Sequence, residues 1–166
     1  MGYQIVSIKS SLPKKLEIFN SGKNKKLINV TGINKRYRSS LNEDVISLSL
    51  KSAQKVINKT NKKEIGFLLF VTQTSPFKFP SISCILQHRL GLSKNIFAVD
   101  INMGCSGYIY ALKLAESLKN LDNKKKYGLI ICSDTYTKYI NKNNKSCRPI
   151  FSDASTTTLL KISKKN

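Results

Sequence analysis

The sequence predicts an α/β fold, a five-stranded mixed sheet with helices on both faces. Three observations carry the prediction. Two short continuous apolar runs, Ile65 to Val71 and Tyr127 to Ser133, are bounded by polar residues, the pattern of strands buried on both faces of a sheet. Stretches with apolar residues at helical spacing alternate with such runs along the chain. A length of 166 residues, 40% of them hydrophobic and 23% charged, suffices for one ordinary core, so residues 1–166 are expected to form a single domain.

Tyr3 to Ile8 alternates loosely and ends at Ser11-Leu12-Pro13, a first strand running into a turn. Lys14 to Lys35 is rich in Lys, Asn and Ser and is expected to be mostly irregular or short helix, an excursion from the core. Ser40-Leu41-Asn42-Glu43 offers a capping box, after which Ile46, Leu50, Ala53 and Ile57 recur at helical spacing to about Lys59. The Ile65 to Val71 strand leads into a loop over Thr72 to Phe79. Pro80 suits a first helical turn, Ile82, Ile85, Leu86 and Leu90 supply an apolar face, and Gly91 stands where that helix would stop. A strand is expected over Ile96 to Ile101, then a helix carrying Ala111, Leu114, Ala115, Leu118 and Leu121. After the Tyr127 to Ser133 strand, Thr135 to Pro149 is a long polar loop and Thr156 to Ile162 a last strand.

Composition excludes several function classes. The longest apolar stretch, around Phe67 to Val71, is far below the ~20 residues of a membrane-spanning helix. The N-terminus lacks a basic region followed by a long apolar one, and Val6 stands where a myristoylation signal wants Ser or Thr, so the expected address is cytoplasmic. Cys84, Cys105, Cys132 and Cys147 lie 21, 27 and 15 residues apart, and His88 is the one histidine, which argues against a metal site or a disulfide framework. The 29 basic residues against 9 acidic give a net charge of +20. Twenty-five of the 29 are Lys, and Lys, Asn and Ile together fill 58 of 166 positions, as AT-rich codon usage would produce. The charge therefore reads as a solvated basic surface. No basic stripe interleaved with aromatics and no helix-turn-helix signature supports a nucleic-acid partner.

Cys105 carries the candidate chemistry. It follows a buried strand, lies between Gly104 and Ser106-Gly107, and stands where a largely apolar helix begins. A thiol there meets the positive end of the helix dipole and unpaired backbone N–H groups, which favour thiolate over thiol and can hold a developing oxyanion. The glycines let the backbone turn sharply and leave room for a substrate. The competing reading is a buried, inert core cysteine.

The segment Asp100-Ile101-Asn102-Met103-Gly104-Cys105-Ser106-Gly107-Tyr108-Ile109-Tyr110-Ala111-Leu112 resembles the active-cysteine segment of the 3-oxoacyl-acyl-carrier-protein synthase III family, in the thiolase-like superfamily. Thr31-Gly32-Ile33 with Arg36 and Arg38 resembles that family's early loop. Val71-Thr72 through Phe79-Pro80-Ser81 to Cys84, Gln87 and Leu90-Gly91 resembles its second, and Ser133-Asp134 and Phe151-Ser152-Asp153 fall in the expected order. The resemblance implies a thiolase-like half whose five strands are those above. It implies an acyltransferase in which Cys105 takes an acyl group from acyl-coenzyme A as a thioester. Malonyl-acyl carrier protein then loses carbon dioxide, and its carbanion attacks that thioester to give a 3-oxoacyl product.

The resemblance further implies substrate-binding roles for Phe79, which would wall the acyl pocket of a homodimer partner, and for Arg36, near the coenzyme A entrance. It implies no resident cofactor, since acyl-coenzyme A and malonyl-acyl carrier protein are substrates. Carrier proteins are acidic, so a basic rim would steer their docking. Family members run to about twice this length, and their assisting His and Asn belong to the second half. The chain is accordingly expected to be an N-terminal half without its C-terminal half, needing that half from a separate chain. His88, between Gln87 and Arg89, matches no catalytic position and is expected to be structural or superficial. Without acid–base help, condensation would lose the ~10²–10⁴-fold that such groups supply. The alternative function is a non-catalytic remnant or interaction module that keeps the fold. Two further departures stand out: Ser, Ala and Thr occupy Phe151 to Thr156 where relatives often carry Gly, and Lys26 falls near the place of the aromatic that stacks on adenine.

Overall fold

A computed structural model describes residues 2–19, 21–118, 124–141, 143–144, 146–147 and 149–163, the side chains of 21–24, 27 and 163 excepted. Five strands form one sheet in the order β1 (Gly2–Ser11), β7 (Ala154–Ser163), β6 (Tyr127–Asp134), β4 (Ile65–Val71), β5 (Phe97–Ile101). The sheet is mixed. β4 runs parallel to both β5 and β6, while β7 is antiparallel to β6 and to β1. The expected continuous apolar runs are the central strands, and every residue of β4 except Gly66 is buried.

Helices cover both faces, as expected. α2 (Val45–Ile57) and α3 (Ile82–Arg89) bury Val45, Ala53, Ile57, Ile82 and Leu86 against Leu68, Phe70, Leu129 and Ile131. On the other face α4 (Gly107–Leu118) sets Ala111 and Ala115 against Phe67, Leu69, Val71 and Ile130. Leu121, expected on the same apolar face, lies outside the described residues.

Three boundaries differ from expectation. α2 starts at Val45, because Asp44 is its N-cap: the Asp44 carboxylate accepts from Ser47 N–H at 2.7 Å and Ser47 Oγ from Asp44 N–H at 2.9 Å. The Ser40 and Glu43 pair does form, with Glu43 accepting from Ser40 N–H and Oγ, but it closes the preceding turn. Pro80 precedes α3, whose first turn is capped from another strand by the Asp100 carboxylate, at 2.7 Å from both Ile82 N and Ser83 N. The excursion is more ordered than expected: β2 (Lys15–Ile18) and β3 (Lys35–Arg38) form an antiparallel pair around α1 (Ser21–Thr31), with Glu17 opposite Arg36.

The Gly-poor segment running into β7 carries no backbone strain, since no described non-glycine residue has a positive φ. In β7 itself Ser155 Oγ at 3.0 Å and Thr157 Oγ1 at 2.7 Å find a buried partner in Ser52 Oγ on α2. No helix among the described residues is long and apolar enough to cross a membrane.

α4 lies so close to β4 that a Cβ on Gly107 would stand 2.4 Å from Val71 Cγ1. Helix propensity alone makes Gly to Ala stabilising by up to about 1 kcal/mol, whereas overpacking costs about 1–3 kcal/mol. Gly107→Ala should therefore lower the urea midpoint; a raised midpoint would show that α4 is free to move off the sheet.

Candidate active site

Because β5, β4 and β6 run parallel, the segments leaving their carboxyl ends meet at one edge of the sheet, where α/β folds place their ligand sites. Those segments are the loop after Val71, the turn after Ile101 and the turn after Asp134. Cys105 sits in the second, on a short 3-10 turn, Gly104–Ser106, and its side chain is exposed. The α-helix proper begins at Gly107, two residues beyond the thiol, and the turn runs straight into it. Ser106 Oγ donates to Met103 O at 2.7 Å and closes the turn. Gly104 has φ of +57°, a conformation that disfavours a side chain, and a Cβ there would lie 3.1 Å from Gln73 Nε2. The buried, inert reading of Cys105 does not describe this thiol.

Gln73 belongs to the first segment, and Asp134 fixes that segment. One Asp134 carboxylate oxygen accepts from Gln73 N–H at 2.7 Å, Thr74 Oγ1 at 2.9 Å, Thr74 N–H at 3.0 Å and Thr72 Oγ1 at 3.1 Å. Thr74 Oγ1 in turn accepts from Thr135 N–H at 2.8 Å. The third segment contributes Tyr136, whose ring stacks at 4.7 Å on Phe151 and whose hydroxyl donates to Gln73 Oε1. Burial first, and the Asp134 charge second, raise the Tyr136 hydroxyl above its ordinary value, so it stays a donor. Gln73 and Tyr136 were not singled out from the sequence. The signal that would have found them is topological: each directly follows a strand parallel to the one before Cys105.

The other residues picked from the sequence lie on other elements. Phe79 is 86% exposed at the end of the loop before α3. Arg36 is buried, only 4% exposed, and its guanidinium grips Glu17 at 2.6 Å, lies 5.7 Å from the Phe19 ring centroid and reaches Phe151 O at 3.4 Å. Arg38 approaches the same Glu17 at 3.4 Å. Lys26 is exposed on α1, and His88 and Cys84 are exposed on α3. Among the described residues no group of three or more His, Cys, Asp or Glu could hold a metal ion. Cys132, on β6, is half-buried; burial first and the Asp134 charge second push its thiol up to about 12.

Residues 99–166 match the family model of 3-oxoacyl-[acyl-carrier-protein (ACP)] synthase III. The chain is 35% identical over 136 residues to a beta-ketoacyl-[acyl-carrier-protein] synthase III of Acholeplasma laidlawii, covering 80% of this chain and 43% of that protein. It is 38% identical over 125 residues to one of Clostridium perfringens strain SM101, covering 74% of this chain and 38% of that protein. Its fold matches the crystal structure of a 3-oxoacyl-(acyl-carrier protein) synthase from Burkholderia xenovorans with a TM-score of 0.91 at 28% identity, over 100% of this chain and 50% of that one.

Two outcomes follow from this geometry. Asp134→Ala leaves the Gln73 and Thr74 N–H groups without their acceptor and should cost about 1–3 kcal/mol by urea unfolding. An unchanged midpoint would mean that water replaces the carboxylate. For Cys132, the unfolded thiol ionises near its ordinary ~8.5 while the folded one holds its proton to about 12, so the unfolded state sheds protons first and stability falls as pH rises through that interval. The parent's urea midpoint should drop between pH 8 and pH 10, and Cys132→Ala should flatten the drop. Equal slopes in the two proteins would contradict the assignment.

Proposed function

We propose, for a chain that belongs to the 3-oxoacyl-[acyl-carrier-protein] synthase III family and spans about half the length of the relatives it matches, that Cys105 is the nucleophile of an acyl transfer. Its thiolate attacks the carbonyl carbon of an acyl-coenzyme A. The new C–S bond to Cys105 forms, the C–S bond to coenzyme A breaks, and the coenzyme leaves as a thiolate that takes a proton from solvent. Malonyl-acyl carrier protein then loses carbon dioxide; its carbanion attacks the acyl-Cys105 carbonyl, a C–C bond forms, and the Cys105 thiolate is released. Both acyl carriers are substrates, and the proposal invokes no resident cofactor or metal.

The single observation that carries this reading is the exposed thiol on the turn at the carboxyl ends of three parallel strands, with Gly104 leaving its neighbourhood open to an approaching group. Condensation is assigned to this chain together with a second half-fold that supplies acid–base groups. The exposed Met103, Ile109 and Tyr110 around the start of α4 support a covering partner there, because apolar side chains clustered in solvent mark contact surfaces. The exposed ring of Phe79 supports its reaching into a second copy of the chain, making the protein a homodimer. Arg36 serves the coenzyme A entrance by holding the β2–β3 pair in place through Glu17. The net charge of +20 supports an acidic carrier protein as partner.

Incubating the 166-residue chain with acyl-coenzyme A should add one acyl group to Cys105 by mass spectrometry, and Cys105→Ala should abolish the adduct. Product with malonyl-acyl carrier protein should form about 10²–10⁴-fold faster when a second half is added than with the chain alone. A Cys105 that stays unlabelled while the chain remains folded overturns the catalytic reading in favour of a non-catalytic interaction module.

A further inference from the structure

The amide of Gln73 is oriented from both of its ends. Its backbone N–H is tied to Asp134 at 2.7 Å, and its Oε1 accepts the Tyr136 hydroxyl. An amide whose oxygen is occupied on one side presents its NH2 on the other, and Nε2 lies over Gly104, at 3.1 Å from the position a Cβ would take there. The next residue is the nucleophile. A side chain at Gly104 would stand between the amide and the turn, and the glycine keeps that approach open.

We propose that Gln73 Nε2 donates a hydrogen bond to the carbonyl oxygen of an acyl group carried on Cys105, with Tyr136 as the positioning residue that turns the amide toward it. The inference rests on the acyl-transfer reading of Cys105 and deepens it, adding a donor that this chain itself supplies. A thioester carbonyl gains negative charge on oxygen as it is attacked, and a fixed donor stabilises that charge without having to reorganise. The glutamine does this through an N–H that cannot ionise, so its contribution does not depend on pH. Gln73 is itself exposed, so substitutions there leave the core untouched.

The test uses the full chain carrying Cys84→Ser and Cys147→Ser. Acyl-Cys105 is made with 13C-carbonyl acetyl-coenzyme A and, separately, with 13C-carbonyl p-nitrophenyl acetate, which acylates thiols without any recognition of coenzyme A. Isotope-edited infrared spectroscopy reads the thioester carbonyl, and the rate of transfer to hydroxylamine reads its activation. Gln73→Glu keeps the shape and removes the donor: the carbonyl band should move to higher wavenumber and transfer should slow by roughly 10²-fold, the effect of losing one such donor. Tyr136→Phe should give an intermediate band shift, because the amide is then free to rotate. A band and a transfer rate in Gln73→Glu within twofold of the parent overturn the proposal. Failure of acetyl-coenzyme A alone to acylate Cys105, with Gln73 dependence kept in the chemically acetylated protein, overturns the coenzyme A reading and upholds the donor.

Discussion

The site depends on one carboxylate oxygen. Asp134 stands at the end of β6 and gathers four donors from Thr72, Gln73 and Thr74, so that the loop leaving β4 cannot drift from the turn leaving β6. Everything near the thiol inherits this. Gln73 lies over Gly104 because its backbone is held, and Gly104, lacking a Cβ, takes its left-handed conformation next to Cys105 and leaves the space to the amide. A neutral side chain at 134 could accept from one or two of these donors. An ionised one accepts from all of them, and such charge-assisted bonds are about twice as strong as neutral ones.

Acidic residues are scarce in this chain, nine against 29 basic ones, and several of those described cap helices or pin distant segments. Asp153 accepts from Ser39 N–H at 2.8 Å and Thr137 N–H at 2.9 Å, joining the end of β3 to the loop after β6. Asp100 caps α3 from β5, Asp44 caps α2, and Glu17 holds Arg36 across the β2–β3 pair. The logic is one of supply. Lys and Arg side chains only donate, so a backbone N–H left over at a helix start or in a loop can be satisfied by a carboxylate but never by the basic residues that dominate the charge.

The central strands were legible because burial on both faces leaves an unbroken apolar run, and Ile65–Val71 and Tyr127–Asp134 match it nearly to the residue. The placement of Cys105 on a strand-to-helix turn was legible because Gly104 and Gly107 interrupt the run between the apolar β5 strand and the apolar face of α4. The β2–β3 pair was not, since each strand has four residues and β3 reads Lys-Arg-Tyr-Arg, so the alternation of Leu16 and Ile18 in β2 is too short to mark a strand and the Glu17 to Arg36 contact is ionic. The start of α2 was misplaced because two Ser and carboxylate pairs occur within eight residues, and both form hydrogen bonds; only the geometry tells the turn from the cap. Gln73 and Tyr136 lie 63 residues apart and belong to no motif, and only the shared direction of β4 and β6 brings them together.

The same division of labour runs through the charged surface. Two of the four arginines, Arg36 and Arg38, face one glutamate from β3, and Arg36 is buried with its planar fork in contact with both a carboxylate and a ring. Arginine suits that duty because its donors are fixed in a plane and its charge is weakly hydrated, whereas an ammonium would have to lose a tight water shell. The 25 lysines that make up most of the charge are of the other kind, flexible and strongly hydrated. Such side chains can attract an acidic partner over several ångströms without committing to one geometry, while a few, such as Lys55 on Ser10 O at 2.6 Å and Lys62 on Leu90 O at 2.9 Å, also tie segments together. Fixed geometry thus comes chiefly from the arginine, aspartate and glutamate contacts, with a few lysines adding bonds to carbonyl oxygens. The composition bias that filled the surface with Lys could act there freely, because the positions that set the thiol and its neighbours use side chains that lysine cannot replace.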